Sequence, residues 1–213
     1  MSQRLPQPPF DLIETIAFDP DDGLIELEAH IARIGGSADT LGFAFDRHAV
    51  RNELHAATFR LNRPARVRLR LSRTGAVAIE ACALPQMRDD AIVALRPLPV
   101  PPDDLRLRHK TSDRGFYDRA RAEAGTFEVL FVHPSGLITE GSFTNLFVRQ
   151  AGGRLVTPAL SLGLLPGILR GQLLAEGEAL EGEVRPEDLR DGFLIGNALR
   201  GLLPARLIDG EPR

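Results

Sequence analysis

An α+β fold is predicted for this 213-residue chain by three observations. The stretch RVRLRLS alternates strictly, with Val67, Leu69 and Leu71 on one side and arginines on the other, and after the RTG turn VAIEACA follows as its antiparallel partner. From Leu27 to Phe43 the apolar residues Ile31, Ile34, Ala38 and Leu41 recur at helical spacing instead. Finally, strand-like and helix-like segments come in groups rather than in regular alternation, which argues against a doubly wound parallel sheet.

Taken in order, FDLIETIAF reads as a strand, DPDDG as a turn, and LIELE as the second arm of a hairpin. The helix over 27–43 contains Gly35 and Gly36, each weakening it by about 1 kcal/mol relative to alanine but permitting close approach of another backbone. A second helix covers Asp46 to Phe59. Prolines thicken between Pro85 and Pro102 around one strand, AIVAL, and this stretch is taken as the domain boundary. The predicted organisation is a small α+β domain over 1–85, a strand and Pro-rich connection over 86–108, and a larger domain over 109–213. In the last, Ser112 caps a helix to Ala124, and FEVLFV, LITEG, TNLFV and LVTP are short strands. Pro166 then opens a helix through Leu174, and FLIGNALRGLLPARLI is a closing strand region.

Composition narrows the function. With 43% hydrophobic and 26% charged residues the chain has a core's worth of apolar side chains, which excludes intrinsic disorder and collagen-like repeats. A net charge of -3 gives no electrostatic reason for a nucleic acid or an anionic membrane as partner, so a small molecule is expected. The single cysteine, Cys82, excludes an internal disulfide, and neither a signal segment nor a run of about 18 apolar residues is present, so a cytoplasmic location is expected. The histidines at 30, 48, 55, 109 and 133 show no metal-ligand spacing, and no metal site is expected. Dinucleotide-binding, P-loop, HExxH and GxSxG signatures are all missing.

Of 26 basic residues only Lys110 is a lysine. Arginine stays protonated, whereas a lysine amine can lose its proton and act as a nucleophile; chance survival at an exposed site is the alternative. Four further pieces suit a phosphorylated aromatic ring. In LLPGILR, Gly167 and the amides after it open a helix, where unpaired N–H groups and the helix dipole favour an anion, though an ordinary proline-led helix start reads the same way. IGNALRG sets a glycine beside Asn197, whose amide is a further donor. Glu140 in GLITEGSFTNLF follows an apolar strand; it is either a solvent-facing strand end or a buried carboxylate able to keep a pyridine nitrogen protonated. Arg33 lies three residues after His30 on one helical face, a position from which a guanidinium suits a phosphate dianion.

In series, H-x-x-R, RHK, GLITEGSFTNLF, LLPGILR and NALRGLLPA resemble the class IV aminotransferases, the fold type IV pyridoxal-phosphate enzymes, from about Phe10 to Asp209. The resemblance implies a two-domain architecture like that of D-amino-acid aminotransferase, with pyridoxal 5'-phosphate as cofactor. It places the cofactor-bearing lysine on Lys110, the pyridine-nitrogen glutamate on Glu140 and the phosphate arginine on Arg33. Leu165 matches the residue that packs on the ring, Ile168 and Leu169 beside Gly167 the phosphate cradle, and Asn197 with Ala198 the second phosphate loop. A homodimer and a small-molecule amine substrate are also implied.

The chain departs from the family pattern in three places. It starts almost at FDLIET, without the longer Y-G-x-x-x-F-E stretch, so a shortened N-terminal domain is expected. Gly115 stands where a tyrosine usually follows the lysine by five residues, with Tyr117 two residues later, and Leu169 stands for a threonine. HKTSDRGFYDRAR, the FDLIET start and the NALRGLLPA ending resemble most closely the 4-amino-4-deoxychorismate lyase branch, and the lyase-like domain behind aminobenzoate synthase component I. A lyase releasing 4-aminobenzoate and pyruvate is therefore ranked above a branched-chain or D-amino-acid aminotransferase, with a non-catalytic small-molecule-binding relative as the remaining alternative.

Overall fold

The computed structural model describes residues 10–86, 89–150 and 152–208. The chain forms two compact units, one built from the residues up to Ala83 with His109–Arg114, the other from Leu84–Arg108 and the residues from Gly115 onward. The division thus differs from the sequence-based boundaries on both sides of 86–108. The strand expected in the connection lies inside the larger unit's sheet, and the six residues around Lys110 belong to the smaller unit.

In the smaller unit β1 (Leu12–Asp19), β2 (Gly23–Leu24), α1 (Leu27–Leu41), α2 (Arg47–Thr58), β3 (Ala65–Leu71) and β4 (Val77–Ala83) follow one another. The sheet runs β2-β1-β3-β4, all antiparallel. Leu12, Ile16 and Phe18 of β1 and Val67, Leu69 and Leu71 of β3 form a core with Ile34 and Ala38 of α1 and Val50 and Leu54 of α2. The predicted second hairpin arm shrinks to two residues, because Glu26 takes a left-handed conformation (φ 53°) and α1 starts at the next residue. Asp46 caps α2, accepting from the His48 and Ala49 amides. At Gly35 a Cβ would sit 2.9 Å from the Phe45 ring, so the close approach is by a side chain rather than a backbone.

The larger unit contains β5 (Ala91–Pro97), α3 (Leu105–Arg108), α4 (Gly115–Ala124), β6 (Glu128–Val132), β7 (Ile138–Gly141), β8 (Asn145–Arg149), β9 (Leu155–Pro158), α5 (Ile168–Ala175), β10 (Ala179–Gly182), β11 (Phe193–Asn197) and β12 (Gly201–Leu207). Its sheet runs β10-β9-β8-β11-β12-β5-β6-β7. Parallel pairing joins β12, β5 and β6, while β11 and β12 form an antiparallel hairpin. In AIVAL, Ala91, Val93, Ala94 and Leu95 are buried and Ile92 is exposed, so this interior strand is covered over most of both faces. Its flanking prolines suggested a linker instead. The helix expected from Ser112 begins at Gly115, since Ser112 bonds Asp11, its amide to the Asp11 carbonyl (2.8 Å) and its Oγ from the Asp11 amide (2.9 Å). The helix expected from Pro166 begins at Ile168 with Gly167 as its N-cap.

Candidate active site

In the smaller unit the segment carrying Lys110 is laid against the start of β1. The Ile13 amide donates to the Lys110 carbonyl (2.9 Å), and Thr111 bridges antiparallel to Leu12. His109 Nδ1 meets Ser37 Oγ of α1 at 3.0 Å. The lysine backbone is therefore fixed on both sides by hydrogen bonds rather than carried on an unsupported loop.

Along β1, Leu12, Glu14, Ile16 and Phe18 share the core-facing side, so a carboxylate stands among apolar neighbours. It is 1% exposed and needs partners, which α1 supplies. Arg33 donates to it twice, Nε to Oε1 at 2.8 Å and a terminal nitrogen to Oε2 at 2.6 Å, and His30 Nδ1 lies 2.7 Å from Oε2. Burial by itself would raise the Glu14 carboxyl, but the Arg33 charge and the hydrogen bonds from His30 and Arg33 outweigh it and hold the pKa down at about 2. Arg33 is thus a guanidinium fixed in orientation, as a phosphate ligand needs. Glu14 was not singled out in the sequence, although an acid at a core-facing position of an alternating strand is a signal that a partner is waiting.

In the larger unit Glu140 is buried near the end of β7, so the solvent-facing reading does not hold. Its partners include Tyr117 Oη, which donates to Oε1 at 3.1 Å, the Leu165 amide, which donates to Oε2 at 3.1 Å, and Asn145 Nδ2, which donates to Oε2 at 3.4 Å. The same Asn145 nitrogen donates to the Leu165 carbonyl at 3.2 Å, tying β8 to the segment before α5. The structure thereby brings together Glu140, Leu165 and the Gly167 helix start. A Cβ on Gly167 would fall 1.8 Å from Asn145 Oδ1, and no side chain caps the α5 N-terminus that continues into Ile168 and Leu169. Beside it, a Cβ on Gly196 would lie 2.7 Å from the Gly201 carbonyl and 2.9 Å from Leu169 Cδ2.

Asn197 differs from its expected use as an anion donor. Its Nδ2 donates to the Phe143 carbonyl (3.0 Å), and its Oδ1 accepts from the Leu199 and Arg200 amides, so the side chain shapes the turn that contains Ala198. Phe143 sits in the β7–β8 turn, which is gripped by another residue that sequence reasoning missed. Glu128, fully buried at the start of β6, accepts from the Ser142 amide (2.9 Å) and Oγ (2.5 Å), the Phe143 amide (3.0 Å) and Thr144 Oγ1 (2.9 Å). Burial pushes its carboxyl above the ordinary range against those hydrogen bonds. Nothing short of the tertiary fold identifies it, because an acid before an apolar strand is ordinary. Glu128→Gln turns an acceptor into a donor facing donors, and is expected to cost about 2 kcal/mol in urea unfolding; an unchanged midpoint would contradict this placement.

These residues fit a phosphorylated pyridine. A buried carboxylate that accepts from a phenol and a backbone amide suits a protonated ring nitrogen, and an uncapped helix start beside two glycines that tolerate no Cβ suits a phosphate. No group of three or more His, Cys, Asp or Glu able to hold a metal occurs among the described residues.

Comparison with known proteins agrees with this chemistry. The profile of the family described as Amino-transferase class IV matches residues 11–208. A Schizosaccharomyces pombe protein provisionally assigned as an aminodeoxychorismate lyase is 27% identical, over 93% of this chain and 90% of that protein. The crystal structure of a provisionally assigned amino-acid aminotransferase from Mesorhizobium loti superposes with a TM-score of 0.87 at 38% identity, over 93% of this chain and all of the other. A Mycobacterium tuberculosis chain described as a hypothetical aminotransferase, solved with α-ketoglutarate and PMP, shares the fold at 23% identity and a TM-score of 0.82, over 95% of this chain and 83% of that one.

Proposed function

The chain belongs to the class IV aminotransferase family of pyridoxal-phosphate enzymes, and on that premise we propose that it is a 4-amino-4-deoxychorismate lyase, releasing 4-aminobenzoate and pyruvate. The observation that carries the reading is the match, over nearly the full length of both chains, to the Schizosaccharomyces pombe protein provisionally assigned as an aminodeoxychorismate lyase. The HKTSDRGFYDRAR and NALRGLLPA segments support it.

In this reading Lys110 Nζ would hold the cofactor and, as a free amine, would be the base for the proton on the carbon bearing the substrate amine. Glu140 would keep the pyridine nitrogen protonated; the α5 N-terminal amides in the larger unit and the Arg33 guanidinium in the smaller are each suited to a phosphate. Leu165 would pack on the ring. Pyridoxal phosphate supplies the electron sink at the reacting carbon. Removal of that proton, with departure of the enolpyruvyl group, which takes up a proton to become pyruvate, would leave the aromatic ring of 4-aminobenzoate. A small-molecule amine substrate, a homodimeric assembly and a cytoplasmic location belong to the same proposal; no helix among the described residues is long and apolar enough to cross a membrane.

An amino-acid aminotransferase, branched-chain or D-specific, is the second reading, favoured by the Mesorhizobium loti structure. The deciding experiment incubates the holoenzyme with aminodeoxychorismate and, separately, with branched-chain and D-amino acids while following its visible absorption. Formation of 4-aminobenzoate with an unchanged spectrum on the amino acids is expected. Conversion to the aminated cofactor by an amino acid, without 4-aminobenzoate from aminodeoxychorismate, would reverse the ranking.

A further inference from the structure

The chain's one tyrosine does not stand where the family resemblance expects a cofactor tyrosine; that position is Gly115. Tyr117 lies in the first turn of α4, 2% exposed, in a cluster with Leu107, Val129 and Phe131. Its ring is clamped between Phe116, 4.3 Å away between centroids, and Phe131 at 5.2 Å, so the hydroxyl has little freedom to choose a partner. A buried phenol needs an acceptor, and here it donates to Glu140 Oε1 at 3.1 Å. The other oxygen, Oε2, is held by the Leu165 amide and Asn145 Nδ2.

We infer that Tyr117 is a positioning residue that works through Glu140: its hydroxyl fixes the carboxylate's orientation and favours its ionised form, instead of contacting the cofactor's ring oxygen. Each carboxylate oxygen accepts two hydrogen bonds, so this arrangement is compatible with a pyridinium proton on the same group. The inference rests on the pyridoxal-phosphate reading for its purpose, but the pairing itself can be read without cofactor.

With one tyrosine and no tryptophan in the chain, the near-ultraviolet absorbance of ionised phenol reports on Tyr117 alone. In the cofactor-free protein, Glu140→Gln is expected to lower the pH midpoint of that signal by about one unit, because the phenolate no longer faces a carboxylate. Glu140→Ala, which removes the acceptor altogether, is expected to do the same. An unmoved midpoint in both variants would overturn the inference. The second readout is the dissociation constant of pyridoxal phosphate in Tyr117→Phe, Glu140→Gln and the double variant. Tyr117→Phe is expected to weaken binding about 3–10-fold in the wild-type background and not at all in the Glu140→Gln background. Equal losses in both backgrounds would overturn the inference and give Tyr117 a direct cofactor contact. If the wild type binds no cofactor, the proposed function falls and takes the positioning role with it. A cofactor-binding chain with an unmoved phenol midpoint sinks the inference alone.

Discussion

Lys110→Ala is expected to abolish covalent retention of pyridoxal phosphate and to reduce turnover by about 10²–10⁴-fold, because in the proposed function the same amine would anchor the cofactor and move the substrate proton. No other side chain can stand in, since every other residue among the 26 basic ones is an arginine. The loss should be chemical rather than structural. The backbone at 110 is held by the Ile13 amide and the Leu12–Thr111 bridge, contacts that do not depend on the side chain. Lys110→Arg separates charge from chemistry: it keeps the cation, cannot provide a neutral amine, and is expected to be as inactive as the alanine variant. The measurements are absorbance remaining after borohydride reduction and denaturing gel filtration, turnover, and thermal unfolding as a control. Turnover near the wild-type rate in either variant would remove Lys110 from the chemistry.

Glu14→Ala carries the largest expected cost in stability, about 3–5 kcal/mol, because it strands the Arg33 guanidinium and the His30 ring without their buried acceptor. The pH dependence has a definite sign. The folded carboxyl, at about 2, lies below its ordinary 4.5, so the folded state binds the proton less readily than the unfolded chain. Its stabilising contribution is complete above 4.5 and is lost as the pH falls from there toward 2. Urea unfolding across that interval should therefore show a steeper decline for the wild type than for Glu14→Ala. Parallel curves would mean that the carboxylate is not held by these partners. Cofactor affinity supplies an independent check, since Arg33 would lose the group that orients it.

The alternation of β3 and the periodicity of α1 and α2 were legible because each pattern records burial of one face, and the structure buries those faces. The extent of the helix before β6 was not, because Ser112 is a plausible cap in sequence and only the fold shows it bonded to Asp11. Likewise the prolines around AIVAL resemble a linker, whereas pairing with β12 and β6 makes that stretch interior sheet. Among the site residues, Glu140, Leu165 and Gly167 were legible as a series of short segments, and the structure links them through Asn145. What escaped were acceptors whose partners are distant in sequence: Glu14, sixteen and nineteen residues from His30 and Arg33, and Glu128, fourteen from Ser142. Local patterns record faces and turns; a buried carboxylate is explained only by donors that tertiary folding delivers.

The stretch around Lys110 also closes an open margin. β2 pairs only with Phe18 and Asp19, and further along the same strand the Ile13 amide donates to the Lys110 carbonyl and the Ser112 amide to the Asp11 carbonyl, on either side of the Leu12–Thr111 bridge. Unpaired strand margins invite other chains to add on, and proteins guard them. A fragment ending at Ala83 would bare that margin as well as lose the amine, and self-association by strand addition is its foreseeable fate. On the proposed function, a substitution within His109–Arg114 can therefore harm the molecule by two routes, through the chemistry of Lys110 or through the strand margin that the segment covers.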